Sequence, residues 1–444
     1  MNNDIWAERM NPHHSRTGDH RTPADIDYAR VIHSESFRRL AGVTQILALN
    51  DSDFHRNRLT HSIEVGQVAL GIVQQLKAES SPQIQELLPN RAQMETISFI
   101  HDLGHPPFGH GGETALMYAM RQHGGFEGNG QTLRILANLT SSSSTKRGAN
   151  LTRRTLLGSL KYPVPYSMVA RPEVMNDCIS PINGRVMLSG EYHDPPKCYL
   201  DTEQDVVDWL MTPFSEADRS EIIRTRAKSF DCTIMDISDD IAYGVHDLED
   251  AITLGLVTPH QLTKDVDPSL WREFLEIMAF DYPSDYDRRG TTSYNHFLSL
   301  LFETDTKSQI GRLVHYMIQH AQIQIREEFD EPMYRHAAVI CPPANALLNA
   351  LKKFIYRRVI QAPVVQQLRH KGQRMIIELF AELQHSPRHL LPSPVYSLYS
   401  EQDTKTGQMR VICDYIASLT DAGLVRVYKR LFDPGAGSVF DNLR

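Results

Sequence analysis

Three separated segments of the chain carry side chains that bind metal ions. His61 lies in the first, His101 and Asp102 are adjacent in the second, and Asp239 lies in an acidic third segment. Together they offer two imidazoles and two carboxylates, a mixed set that suits Mn, Fe, Co, Mg or Zn better than a thiolate site would. The joint pattern predicts a divalent metal site, with water or substrate oxygens completing the coordination.

The segment 104–113 is rich in glycine, proline and histidine. Its prolines stiffen the backbone, and its glycines let a ligand approach it closely. We interpret His110 as a catalytic acid or base whose imidazole is oriented by Glu113. Plainer explanations stay open, because His105 could cap the preceding helix, and Glu113 could favour the start of a helix over 114–121.

Apolar residues at intervals of three and four predict the helices that hold these side chains. They are Val65, Val68, Ala69, Ile72, Val73 and Leu76 after His61, Met94, Ile97 and Ile100 before His101, and Ile237, Ile241, Val245, Leu248 and Ile252 around Asp239. His61 and His101 fall on the apolar faces of their helices. The helix before His101 is expected to end near Gly104, which would be its C′ residue.

The acidic segment has a polar stripe of its own. At helical spacing Asp239, Tyr243, Asp247 and Asp250 share one face, separate from the apolar face. Stacked like charges destabilise a bare helix mildly, so this stripe favours a bound cation. Taken singly, an acidic helix is more often a solvated face, and a lone helical histidine is more often structural. The conjunction of the three segments therefore carries the metal hypothesis.

The composition of the chain disfavours several classes of function. The chain has 444 residues, 54 acidic and 46 basic, and a formal net charge of −8. Because duplex binding relies on Lys and Arg that neutralise phosphates, this charge disfavours a dedicated polyanion binder. The five scattered cysteines predict neither a disulfide framework nor a thiolate zinc site. No apolar stretch approaches about 18 residues and no signal-peptide pattern is present, so no membrane contact and a cytoplasmic location are expected.

These motifs resemble the HD superfamily, named for its His, His-Asp and Asp ligands, which are matched here by His61, His101, Asp102 and Asp239. More closely, the chain is similar to the bacterial dGTP triphosphohydrolase (dGTPase) family of dNTP triphosphohydrolases. The string H-D-L-G-H-P-P-F-G-H is the most specific match. The matching segments are residues 37–45, 57–62, 101–110, 126–131, 151–153, 161–163 and 414–421, together with the acidic helix from Asp239.

The resemblance implies an activity and roles for individual residues. A deoxynucleoside triphosphate, dGTP first, would be cleaved between the sugar oxygen and the α-phosphorus, giving deoxynucleoside and intact triphosphate. The four HD residues would hold the metal. His110, backed by Glu113, matches the catalytic position, and His105 and Arg58 match positions that meet the phosphates.

Three further residues match positions around the deoxyribose. Tyr243 would stack where a 2′-OH would collide, Asp247 would accept a hydrogen bond from the 3′-OH, and Gln45 would lie beside them. The resemblance also implies a divalent metal, Mn, Mg or another transition metal, and no organic cofactor. Members of the family form homo-oligomers, tetramers or hexamers, and some respond to a nucleotide effector.

The predicted fold class is mainly α, a single large helical body built around the HD metal site. A mobile N-terminal arm is expected over 1–26, an HD phosphohydrolase core over 27–255, and a C-terminal helical region packed on the core over 256–444. No alternating strand pattern and no phosphate-cradling G-x-x-x-x-G-K-[ST] loop stand out.

Two alternative functions stay open. One is an HD phosphohydrolase acting on another nucleotide phosphoester. Gln45, Tyr243 and Asp247, which match positions around a deoxyribose, argue against it. The other is a regulator that binds nucleotide or single-stranded nucleic acid with little catalysis. The basic residues dense enough to contact phosphates are Arg38, Arg39, Lys352, Lys353, Arg357 and Arg358. Such runs are more often solvated faces or subunit contacts.

Overall fold

The computed structural model describes residues 4–11, 18–45, 56–140, 148–179, 185–286 and 294–437. These residues are mainly α-helical, which confirms the predicted fold class. Residues 1–3 and 12–17 of the expected N-terminal arm lie outside the described residues. Among the described helices, none combines the length and the apolar character needed to cross a membrane.

The chain divides into two compact units, each discontinuous in sequence. Unit 1 comprises Met1–Ser62, Phe99–Lys228 and Gln367–Arg444, and unit 2 comprises Ile63–Ser98 and Ser229–Gln366. These units do not follow the limits expected at residues 26 and 255, so those limits stay predictions.

The α-helices follow the same division. Those of unit 1 are Pro23–Ile32, Glu35–Arg39, Gly109–Met120, Gly128–Arg134, Arg153–Ser159, Tyr166–Val169, Pro172–Asn176, Gly190–His193, Gln204–Met211, Glu216–Thr225, Pro387–Leu390, Ser393–Ser400, Lys405–Ser418 and Asp421–Phe432. Those of unit 2 are Pro82–Leu87, Phe230–Ile241, Asp247–Thr253, Pro259–Asp265, Arg272–Asp281, Pro283–Tyr286, Tyr294–Ser299, Thr306–Gln319, Pro332–Arg335 and Pro342–Ile355. Helices Arg58–Glu79, Arg91–Ile100 and Pro363–His385 contain the points where the chain passes from one unit to the other.

Unit 2 also contains a small sheet that the sequence analysis missed. Strand β1, Ala321–Ile325, pairs antiparallel with β2, His336–Ile340, so that Ala321 lies opposite Ile340. The order A-Q-I-Q-I does alternate, but five residues give a weak strand signal. The sequence showed no convincing alternating run here, and the short hairpin leaves the fold class mainly α.

The apolar periodicity correctly identified the helices that flank the metal-type residues. In the helix Arg58–Glu79 all six predicted apolar positions are buried, as are the three in Arg91–Ile100. Ile100 and Leu103 belong to one core cluster of unit 1, packed with Leu40 and Leu151. Because the residues on both sides of His101 and Asp102 are fixed in this core, the pair is held in place.

A buried network ties the N-terminal segment of unit 1 to the rest of that unit. Asp27 is fully buried, and its Oδ1 lies 2.5 Å from Nη1 of Arg9. The other oxygen, Oδ2, accepts hydrogen bonds from the Thr152 amide (2.9 Å) and hydroxyl (2.7 Å) and from the Thr155 hydroxyl (2.6 Å). Residue 9 of the expected arm is thus anchored in the folded structure.

Arg9→Ala is expected to lower the free energy of unfolding by about 3 kcal/mol, because the buried Asp27 carboxylate would lose its cation. Urea denaturation of the whole protein measures the difference. Arg21→Ala is the matched control, since Arg21 pairs with Asp19 at the exposed surface and its loss should leave the unfolding midpoint unchanged. Equal midpoints for the two variants would contradict the anchoring role of Arg9.

Candidate active site

Two of the predicted ligands meet in the interior of unit 1. His61 lies in the first turn of the helix Arg58–Glu79, and His101 directly follows the helix Arg91–Ile100. Both are buried, their ring centroids are 5.4 Å apart, and a nitrogen of each ring lies within 4.8 Å of the other. Two buried imidazoles this close can share one cation.

The carboxylate of Asp102 is buried among positive or protonatable groups. Its Oδ2 lies 2.6 Å from Nη1 of Arg58, and its Oδ1 lies 3.0 Å from Nδ1 of His105 and 3.5 Å from Nε2 of His101. Burial alone would raise the pKa of Asp102, but Arg58, His105 and His101 outweigh it and hold this pKa well below its ordinary value. Asp102 therefore stays ionised, which is the form that a metal ligand requires.

The neighbouring His105 favours the neutral imidazole. Burial and the charge of Arg58 lower the pKa of His105, although Asp102 opposes the effect. Arg58 itself is 3% exposed and already engaged with Asp102, so its first role in this structure is to keep that carboxylate charged.

The acidic stripe lies in unit 2, and its geometry differs from the regular helix expected. Asp239 is half-buried on the helix Phe230–Ile241, Tyr243 lies in the π-helical turn Ala242–His246, and Asp247 begins the next helix. A π-turn takes in one more residue than an α-turn, so the predicted spacing does not hold across it. Burial and the charge of Asp247 raise the pKa of Tyr243, which keeps its phenol protonated.

His110 and Glu113 form a hydrogen-bonded pair at the start of the helix Gly109–Met120. Nδ1 of His110 is 2.6 Å from Oε2 of Glu113; the His110 side chain is 66% exposed and that of Glu113 is 1% exposed. The helix begins at residue 109 rather than at the expected residue 114, so His110 lies in its first turn and Glu113 follows three residues later. Phe108 (φ 62°) and Gly109 (φ 54°) are left-handed and turn the chain into the helix.

The buried end of Glu113 is fixed by its surroundings. Its Oε1 accepts a hydrogen bond from the Gly128 amide at 2.8 Å, and a Cβ at position 128 would lie 2.6 Å from that oxygen. Burial would raise the pKa of Glu113, but the charge of Lys197 and the hydrogen bond with His110 hold it well below its ordinary value. An ionised, immobile carboxylate can orient the imidazole of His110.

His105 lies beside this pair, with its ring 5.4 Å from that of His110 in an edge-on arrangement. Donor atoms of His105, His110 and Glu113 lie within 4.8 Å of one another, a grouping that could also hold a cation. Both oxygens of Glu113 are already engaged, one by His110 and the other by Gly128, so the hydrogen-bonded pair is the better description.

Gly104 does not act as the expected C′ residue. The helix before it ends at Ile100, and Gly104 is absent from the positive-φ residues in the described part of the chain. A Cβ at position 104 would lie 1.9 Å from the carbonyl oxygen of Gly128, and the Gly104 amide donates to the Thr132 hydroxyl at 2.9 Å. Glycine is therefore needed here for close backbone packing.

Comparisons with known proteins identify the family of the chain. An HD domain family model matches residues 58–147, and a phosphohydrolase-associated domain model matches residues 338–430. The relatives include deoxyguanosinetriphosphate triphosphohydrolase-like proteins of Shewanella sediminis (strain HAW-EB3), 39% identical over 456 residues and 99% of both chains, and Shewanella baltica (strain OS195), 40% identical over 456 residues, 99% of this chain and 98% of the relative. The chain belongs to the family of these deoxyguanosinetriphosphate triphosphohydrolase-like proteins.

As a member of the family, the chain contains an HD phosphohydrolase domain, and HD domains depend on metal ions. The donor set of unit 1 fits such an ion. His61 and His101 bring imidazole nitrogens close together in the interior, and Asp102 is held in its ionised form. Mixed nitrogen and oxygen donors suit divalent metals of intermediate softness.

Three residues near the site were not expected from the sequence as contributors: Glu127, Lys197 and Asp421. Arg39 was expected only as a possible phosphate contact, and in the structure it donates to the carbonyls of Leu103 (2.8 Å) and His105 (2.7 Å). Arg39, Glu127 and Asp421 lie in segments that matched the family, which was an available signal, whereas no residue pattern pointed to Lys197.

Proposed function

We propose that the protein is a metal-dependent dNTP triphosphohydrolase, with dGTP as its first substrate, that releases deoxynucleoside and intact triphosphate. The observation that carries the proposal is the His110–Glu113 pair in the same unit as buried His61, His101 and Asp102. The names of the relatives support the same substrate class.

We assign the metal to His61, His101, Asp102 and Asp239, with Mn, Mg or another transition metal as the ion and no organic cofactor. When bound, the ion supplies Lewis-acid polarisation of a phosphoryl oxygen and lowers the pKa of a coordinated water. Arg58 and His105 contribute by keeping Asp102 ionised, as their distances of 2.6 and 3.0 Å indicate.

His110 moves the proton. Its Nδ1 is engaged with Glu113, which leaves Nε2 of the exposed ring to exchange a proton with the attacking water or the departing sugar oxygen. Glu113 holds the ring in one orientation. The buried charge of Glu113 is itself balanced by Lys197, whose Nζ also lies 2.9 Å from Oε1 of Glu127.

The remaining assigned residues bind the substrate. His105 and Arg58 contact the phosphates, while Gln45, Tyr243 and Asp247 surround the deoxyribose. Tyr243 remains a neutral phenol, suited to stacking on a sugar, because burial raises its pKa. The net charge of −8 does not steer a polyanion toward the protein, so the cation and these placed groups must attract it.

The test is a panel of the four dNTPs with Mn or Mg and resolution of the products, with and without a second nucleotide as activator. Deoxynucleoside and triphosphate in equal amounts are expected, with ribonucleotides turned over at least about a hundredfold more slowly because of the 2′-OH clash. Release of a deoxynucleoside monophosphate and pyrophosphate, or no turnover of any dNTP, would refute the proposal. Light scattering of the same sample tests the expected tetramer or hexamer.

Turnover of another nucleotide phosphoester alone would favour the related hydrolase function. Salt-dependent binding of single-stranded DNA without turnover would favour the regulatory function. The structure offers that function little support, because Lys352 pairs with Asp240 at 2.5 Å and Arg358 with Asp265 at 2.6 Å. The cytoplasmic location stays a prediction.

A further inference from the structure

The carboxylate of Asp421 links a C-terminal helix to two segments of the candidate active site. Asp421 is 8% exposed and is the first residue of the helix Asp421–Phe432. Its Oδ1 accepts a hydrogen bond from the Phe108 amide at 2.9 Å, and its Oδ2 accepts from the Thr44 amide at 3.0 Å and from the Thr44 hydroxyl. One buried carboxylate thus holds the backbone on two sides.

The conformation of Phe108 determines where the catalytic candidate His110 lies. It is left-handed (φ 62°), a conformation that a residue with a Cβ keeps only when its surroundings impose it. Its amide is fixed by Asp421, and its ring lies where a Cβ at Gly372 would approach within 2.5 Å. His110 follows two residues later, so the geometry at Phe108 determines where that imidazole lies.

Thr44 lies in the second segment that Asp421 holds. Gln45 follows it directly, so the position of Thr44 determines where Gln45 lies. The packing around this contact is close, since a Cβ at Gly42 would lie 2.6 Å from Cγ2 of Thr420. Thr420 caps the helix by accepting a hydrogen bond from the Gly423 amide at 3.0 Å. The positive end of the helix dipole then favours the negative charge of Asp421.

A second connection runs parallel to the first. Arg39 donates from Nη1 to the Leu419 carbonyl at 3.0 Å, and from Nη2 to the carbonyls of Leu103 and His105. Residues 419–421 are therefore joined to the segment 103–108 both through Arg39 and through Asp421. Two connections in one small region fix both the position and the direction of that segment.

We propose that Asp421 is a positioning residue for catalysis. It sets the turn at Phe108, and so the place of His110, and it sets the place of Gln45 through Thr44. The inference rests on the proposed function for the role of His110. The hydrogen bond between Asp421 and Phe108 connects the region matched by the phosphohydrolase-associated model with the region matched by the HD domain model.

Asp421→Asn tests the inference. Asparagine keeps the shape but replaces one acceptor oxygen with a donor, so the Phe108 amide or the Thr44 amide must face an N–H group. We expect kcat for dGTP to fall about ten- to a hundredfold, by more than KM rises, with metal content unchanged. Amide hydrogen exchange in peptides covering 103–112 should accelerate, while exchange in the rest of unit 1 stays as in the wild type.

Two further variants complete the experiment. Asp433→Asn removes an exposed carboxylate just beyond the other end of the same helix and should change neither kcat nor exchange. Thr44→Val removes only the hydroxyl donor and should give a smaller loss of kcat, so it decides the question if Asp421→Asn does not fold.

Wild-type kcat and exchange in Asp421→Asn would overturn the inference. So would exchange that accelerates uniformly across unit 1, because this would mark a residue that serves stability alone. If the wild type hydrolyses no dNTP, the proposed function fails, whereas the exchange comparison still shows whether Asp421 holds the segment at Phe108.

Discussion

Asp102→Ala is expected to lose bound metal and dNTP hydrolysis together, with turnover reduced about a thousandfold or more. The physical reason is that Asp102 is a buried carboxylate kept ionised by Arg58 and His105, at 2.6 and 3.0 Å. Elemental analysis of the purified variant gives the metal content per chain, and product release from dGTP gives the rate. Retained metal with full turnover would show that the metal site has been misplaced.

The same substitution affects stability, and the experiment must separate the two effects. Removing Asp102 leaves Arg58 buried without its partner, which costs about 3–5 kcal/mol. Asp102→Asn preserves the volume and one acceptor oxygen, so it should fold better while still lacking the charge that a metal ligand supplies. Asp205→Ala removes an exposed carboxylate from a surface helix and is the matched control.

The meeting of His61 and His101 illustrates what the sequence could predict. Each residue lies four and seven positions from apolar residues that the structure buries, so periodicity alone put both imidazoles on interior faces. His61 lies on one helix and His101 directly follows another, and burial restricts the positions that the two imidazoles can take. Their ring separation of 5.4 Å then depends on packing, which periodicity does not contain.

The start of the helix at residue 109 could not be read from local preference. Three glycines among its first four residues disfavour a helix, so the sequence suggested a later start. The structure needs two of these glycines for packing, because a Cβ at Gly111 would lie 2.8 Å from Arg369 and one at Gly112 would lie 2.0 Å from the Pro107 carbonyl. Tertiary contacts thus override propensity, and the helix brings His110 and Glu113, three residues apart, onto one face.

The contacts of Asp421 show a second limit. Its partners Thr44 and Phe108 are 377 and 313 positions away, and no local pattern reports a pairing at that separation. The π-turn Ala242–His246 is a similar case, since its own residue Gly244 packs where a Cβ would lie 2.8 Å from Leu348. Family resemblance identified the segment around Asp421, but only the fold shows that this carboxylate holds the backbone at Phe108 and Thr44.

His110→Ala is expected to lower kcat about a hundred- to ten-thousandfold, because the variant lacks the group that transfers the proton. Metal content and thermal stability should stay at wild-type values, since the His110 side chain is 66% exposed. Steady-state kinetics with dGTP, elemental analysis and thermal denaturation give the three quantities. A loss of metal equal to that of Asp102→Ala would instead place His110 among the ligands.

Glu113→Gln then separates orientation from proton transfer. The amide keeps the size of the side chain and can still accept from Gly128, but it lacks the charge that orients the imidazole of His110. We expect kcat to fall at least about tenfold, and the double variant His110→Ala/Glu113→Gln to be no slower than His110→Ala alone, because residues that act as a unit have non-additive effects. If the two losses multiply instead, Glu113 acts on the reaction by a route that does not pass through His110.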